Sequence, residues 1–170
     1  IEEILVPSAE RVEPACPVYK ECGGCQLQHL SYAGQLKMKE QQVRDALTRI
    51  GHLDTEVLPV MGCANPWNYR NKMQFPAAMG AEGKIEIGCY ATATHSVVDT
   101  EGCLIQKEAN NQVLVAVRKW MQKFNVTAYD EKTGKGLVRH VMSRVGVHSG
   151  EVMAVLITSA YDIPNKKELI

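Results

Sequence analysis

The sequence predicts an α+β fold: a largely antiparallel sheet, two main helices and a cysteine-rich loop suited to holding a metal cluster. Three observations lead there. Apolar residues recur at helical spacing over residues 31–50 and again over 108–124, but run or alternate as strands do elsewhere. Two pairs of strand-like runs are each joined by a short glycine-containing turn, as hairpins are. The run CPVYKECGGC crowds Cys16, Cys22 and Cys25 around the adjacent Gly23 and Gly24.

In chain order, Ile1 to Val6 is a short apolar run ending at Pro7, expected to be the last strand of a preceding unit. Residues 10–17 are loop, with Pro14 and Pro17 flanking Cys16. Ser31 is placed to cap a helix running to Ile50, with Gly51 as its stop. Leu36, Val43, Leu47 and Ile50 share one face of that helix. Lys37, Lys39, Arg44 and Arg49, interleaved with Glu40 and Asp45, form a solvated one. Strands are expected at Val57–Met61, Lys72–Ala78, Lys84–Tyr90 and Val97–Val98, the second and third joined through Gly80–Gly83.

A second helix spans Glu108–Phe124, with Val113, Val117, Trp120 and Met121 inward. Leu137–Val147 and Val152–Thr158 form the second hairpin. In the former, alternation puts Val138, His140, Met142, Arg144 and His148 on one face and Arg139 on the other, as a structural ion-pair partner. The run VMAVLIT is apolar on both faces and is expected at the centre of the sheet.

Composition excludes some functions. Nineteen basic and nineteen acidic residues leave no net charge, so any nucleic-acid contact must come from local placement. No run approaches the roughly 18 apolar residues of a membrane span, and no membrane partner is expected. No secretory pattern opens the sequence, so a cytoplasmic location and a monomer are expected, with thiols kept reduced.

Reduced clustered thiols bind metals more often than they pair. The spacing Cys-x5-Cys-x2-Cys fits either an iron–sulfur cluster or an all-thiolate zinc site, each needing a fourth ligand from afar. Gly23 and Gly24 favour the cluster, because a backbone without side chains can wrap it and aim amide N–H groups at its sulfides. Cys103, preceded by Gly102 in a loop, is the best fourth ligand. Cys63 and Cys89 read as ordinary packing residues.

The segments CPVYKECGGCQLQHLSYAGQLKMKEQQV, NPWNYRNKMQFP, IGCYATATHSVVDTEGCLIQ and RHVMSRVGVHSGEVMAVLIT together resemble the RNA uracil-5 methyltransferases, specifically the cluster-bearing enzymes that make 5-methyluridine in 23S ribosomal RNA. The resemblance runs along nearly the whole chain. It implies a 4Fe-4S cluster on Cys16, Cys22, Cys25 and Cys103. It implies that residues 1–7 end an upstream TRAM-like β-barrel, that 8–164 form the central iron–sulfur and RNA-binding domain, and that 165–170 begin a truncated helix. The family's S-adenosylmethionine site, nucleophilic cysteine and general-base glutamate belong to a methyltransferase domain whose motifs do not occur here, so the chain alone is expected to be inert. Cys89 stands where the family usually has an aromatic residue.

With that resemblance, Tyr69, Arg70 and Lys72 become candidate RNA contacts, combining an aromatic face with two cations. His140 and Arg144 join them as residues facing either RNA or solvent. His29 is a turn residue beside the triplet. The competing reading is a zinc-dependent nucleic-acid-binding module without enzymatic activity.

Overall fold

The computed structural model describes residues 2–169, and these pack as two units: Ile1–Tyr19 with Cys25–Pro66, and Lys20–Gly24 with Trp67–Ile170. Ile1 and Ile170 lie outside the described residues, and with them part of the expected terminal strand and helix. Residues 2–6 form no strand.

The first unit is organised around α1 (Tyr32–Asp45), which continues into a π-helical turn at Ala46–Ile50 and stops at Gly51. The Ser31 hydroxyl caps α1 by accepting from Gly34 N–H at 3.0 Å. Ser31 also donates to the Glu10 carboxylate, which Lys37 pairs at 3.0 Å. The Ser31 hydrogen bond first, and Lys37 second, hold the Glu10 carboxyl below its usual range. Gly34 is what lets the preceding chain lie so close: a Cβ there would stand 3.0 Å from Glu10 Cβ and 3.1 Å from Leu30 Cδ1. The expected apolar face is not buried, since Val43 is 50% and Ile50 80% exposed. The expected solvated face holds, with Arg44 on Glu40 and Arg49 on Asp45. Val57–Met61 is irregular, not a strand. Among the described residues this unit holds no strand with which it could form a ladder.

The second unit carries a five-stranded antiparallel sheet in the order β3-β2-β1-β4-β5. The strands are β1 (Lys72–Met79), β2 (Ile85–Tyr90), β3 (Val97–Asp99), β4 (Val138–Val145) and β5 (Val152–Thr158). One face is covered by α2 (Glu108–Lys123). Met73, Phe75, Ile87 and Val141 from the sheet and Leu114, Val117, Trp120 and Met121 from α2 share one buried cluster.

Two strand expectations are corrected. β5 is an edge strand, and Val152 and Met153 are exposed. Apolar residues on both faces report partial cover on each side, which an edge strand with a packed inner face also has: Leu156 reaches the core. Within β4, Val138 pairs with Thr158 and His140 with Ile157, so Arg139 is an extra residue in a β-bulge. The bulge turns Val138 into the core at 0% exposure, against simple alternation with His140.

A half-buried ion pair closes the β2–β3 end. Arg118 of α2 donates to Asp99 Oδ1 at 2.7 Å and to the carbonyls of Ile85, Ile87 and Thr100. Burial alone pushes the Asp99 carboxyl up, but the bonds from Lys84, Arg118 and Ile87 N–H outweigh it and leave it below its ordinary value of 3.8.

Candidate functional site

Among the described residues no disulfide joins the cysteines. The predicted ligands divide between the units, Cys16 and Cys25 in the first and Cys22 and Cys103 in the second. In the first unit, Cys16 N–H donates to Gln28 Oε1 at 3.2 Å and its carbonyl accepts from Tyr19 N–H at 3.1 Å. The Tyr19 hydroxyl bonds to Gln26 O and, at 2.6 Å, to His29 Nδ1. His29 is thus a turn residue engaged with a tyrosine, as its position in the sequence suggests.

In the second unit Cys22 bridges to Ala91, and Gly23 N–H donates to Tyr90 O at 3.0 Å. Gly24 N–H approaches Cys22 Sγ at 3.4 Å. A Cβ on Gly24 would sit 3.3 Å from Cys22 Sγ and 3.5 Å from Cys89 Sγ, so the backbone here skirts sulfur with no room to spare. Cys103 is fastened to α2 through Asn111, whose Oδ1 accepts from Cys103 N–H at 3.0 Å.

Cys89 packs against the core, as the sequence suggests, and it also interacts with Cys22 and lies within electrostatic reach of Cys103. Burial first, then Cys22, pushes the Cys89 thiol up to about 12. It is therefore protonated at neutral pH and able to donate to sulfur. Among the described residues, no three His, Cys, Asp or Glu side chains form a group that could hold a metal ion. The donor chemistry around Cys22 is of the kind a thiolate-bound group uses: cysteines outside any disulfide, an amide N–H turned to sulfur, and glycine where a side chain would crowd it.

The predicted RNA residues all lie in the second unit. Tyr69 and Arg70 are exposed just before β1. Their backbone is held by the stretch that follows Cys103: Arg70 N–H donates to Ile105 O at 2.8 Å and Lys107 N–H to Arg70 O at 3.1 Å. Buried Asn110 of α2 reinforces this, reaching the carbonyls of Arg70 and Asn71 while accepting from Ser143 at 2.7 Å. Neither Asn110 nor Gln106, its partner at 3.2 Å, stands out in the sequence, because a side-chain amide that will be buried looks like a surface one.

Lys72 and Arg144 are directly opposite in the β1–β4 register, both exposed, and line an open hollow of about 690 Å³ with Asn71 and Ser149. The structure therefore brings Lys72 and Arg144 together and leaves Tyr69 and Arg70 next along the chain. It does not bring His140 to them. His140 is four residues away along β4, about 13 Å at strand rise, and lines a different cleft. Burial, then the charge of Arg139, holds its imidazole below the usual value.

The chain aligns along almost its whole length with uncharacterized RNA methyltransferases. Over 168 residues it is 49% identical to one from Clostridium tetani, covering 98% of this chain and 36% of that protein. Over 164 residues it is 49% identical to one from Bacillus cereus, and over 170 residues 46% identical to one from Listeria innocua. This chain is homologous to part of these RNA methyltransferases. It spans 36% to 37% of the length of these curated relatives. No family model matches it. Its fold is shared with part of a Pyrococcus abyssi tRNA (uracil-54, C5)-methyltransferase solved with S-adenosyl-L-homocysteine. That match has a TM-score of 0.71 at 22% identity over 99% of this chain and 37% of that one.

Proposed function

We propose that this chain is the central, RNA-engaging part of a cytoplasmic S-adenosylmethionine-dependent methyltransferase that forms 5-methyluridine in 23S ribosomal RNA. The observation that carries this is the 49% identity extending over 98% of the chain to a protein named as an RNA methyltransferase. The preference for a ribosomal substrate rests on the resemblance of the cysteine and YRNK segments to the ribosomal enzymes. The methyl donor, nucleophile and general base belong, in this proposal, to the part of the protein outside these residues.

Cys16, Cys22, Cys25 and Cys103 are proposed to hold a 4Fe-4S cluster, on their spacing and on the thiol chemistry of the second unit. Such a group supplies a cross-link that shortens the effective loops of the unfolded chain. Lys72 and Arg144, neighbours on one face of the β1–β4 pair, neutralise phosphates together, and Tyr69 and Arg70 extend the contact.

Anaerobic purification followed by iron, acid-labile sulfide and zinc analysis tests the cluster. About four irons with matching sulfide per chain is the cubane expectation, and Cys103→Ala should abolish it. One zinc without sulfide replaces this reading with a zinc-dependent binding module. Competition between 23S ribosomal RNA fragments and tRNA for the chain tests the substrate, with preference for tRNA overturning the ribosomal assignment.

A further inference from the structure

The bulge in β4 has an effect on surface chemistry. In a regular strand Arg139 and His140 would point to opposite faces. With Arg139 as the extra residue, both line one cleft of about 400 Å³. The end of β1 (Pro76 to Met79), Val97, and the segment from Tyr129 to Lys132 complete it.

Two aromatic surfaces face this space. Tyr90 and His95, on either side of the β2–β3 turn, are stacked with centroids 5.3 Å apart and planes 24° apart. Tyr129 carries the Arg139 guanidinium over its ring at 4.3 Å. A guanidinium held over a ring can still present N–H groups to an anion. Among the described residues no carboxylate lies within ion-pair distance of Arg139 or Lys132. Two carboxylates also line the cleft: Asp130 is engaged in its own turn, accepting from Lys132 N–H at 2.9 Å and the Thr133 hydroxyl at 2.9 Å, and Glu131 acts on the His140 imidazole.

An apolar floor, an aromatic wall, and a guanidinium with a lysine beside it match the parts of a nucleotide. The volume falls at the small-molecule end of binding clefts, so it admits one residue of a strand and not a duplex. We propose that this cleft seats one unpaired nucleotide of an RNA strand, its base against the Tyr90–His95 pair and its phosphate on Arg139 and Lys132. The inference rests on the RNA methyltransferase reading above. It adds a second contact point on the same sheet, separated along β4 from the Lys72–Arg144 pair.

The test is binding of a fluorescein-labelled single-stranded ten-nucleotide oligouridylate to the 170-residue chain, followed by anisotropy. His95→Ala and Arg139→Gln are the variants, since His95 is exposed and Arg139 lies outside the core cluster. Each should weaken binding about tenfold, the scale of one lost base stack, with circular dichroism and Tm unchanged. The His95 and His140 ring protons should shift in NMR spectra on adding the RNA. Wild-type affinity in both variants would overturn the cleft assignment and leave the RNA reading standing. If free uridine 5′-monophosphate saturates the cleft and the oligomer does not displace it, the occupant is a free nucleotide and the RNA assignment fails. No RNA binding by the wild-type chain would remove the functional reading, and this inference with it.

Discussion

The two units are held together by different physics. In the first, Gly34 is the one buried position among the described residues, and the organisation comes from caps and polar contacts around α1, Glu10 and Tyr19. In the second, a sheet and α2 enclose a continuous apolar cluster, flanked by a half-buried Arg118–Asp99 pair. Polar contacts at a surface contribute tenths of a kcal/mol, whereas enclosed apolar side chains contribute kcal/mol each. The first unit should therefore open locally at little cost, and the second should set the cooperative transition.

Leu114→Ala should show the largest effect. A fully enclosed side chain is removed from the centre of the cluster, and about 3 kcal/mol should be lost from the urea transition. A change below about 1 kcal/mol would mean that the second unit is not the cooperative one. Arg118→Ala comes next, at about 2 kcal/mol, because it removes a guanidinium that serves three carbonyls and one of the partners of Asp99 at the β2–β3 end, leaving Asp99 to Lys84 and Ile87 N–H.

The same pair gives a pH signature. The folded Asp99 carboxyl lies below its unfolded value, so its contribution is present above about pH 4 and fades as pH falls through the folded value. Asp99→Asn should flatten the acid limb of stability against pH. An unchanged limb would show that other carboxylates control it. Ser31→Ala should lower protection of the first-turn amides of α1 in hydrogen exchange, an effect of about 1 kcal/mol, without moving the global midpoint. Lys37→Ala should be the smallest, with no measurable shift in either.

The parts legible in the sequence were those fixed locally. Ser31 and Gly51 bound α1 and its π-helical turn, the Gly80–Gly83 turn fixes the first hairpin, and the periodicity of α2 gives its inward residues. What escaped depends on the partner across a ladder. Alternation places Arg139 opposite His140, and only the pairing of β4 with β5 reveals the extra residue. The apolar pattern of β5 says that it is partly covered, not that it lies at an edge. The same holds at the site. Cys16, Cys22 and Cys25 are conspicuous by spacing, whereas Cys89 lies beside Cys22 only because Ala91, directly after β2, bridges to Cys22. Asn110 needs its buried surroundings to be seen as the support of the Arg70 backbone.

The position of β5 has a further physical consequence. Its outer side offers backbone donors and acceptors unpaired within the sheet, flanked by Val152, Met153 and Val155, with no proline or charge along Val152–Thr158 to discourage another strand. Such an edge is a template for its own kind. At high concentration the isolated chain should add β5 to β5, giving scattering that grows with protein concentration, and a lysine at Met153 should suppress that growth while leaving the core on the opposite face intact.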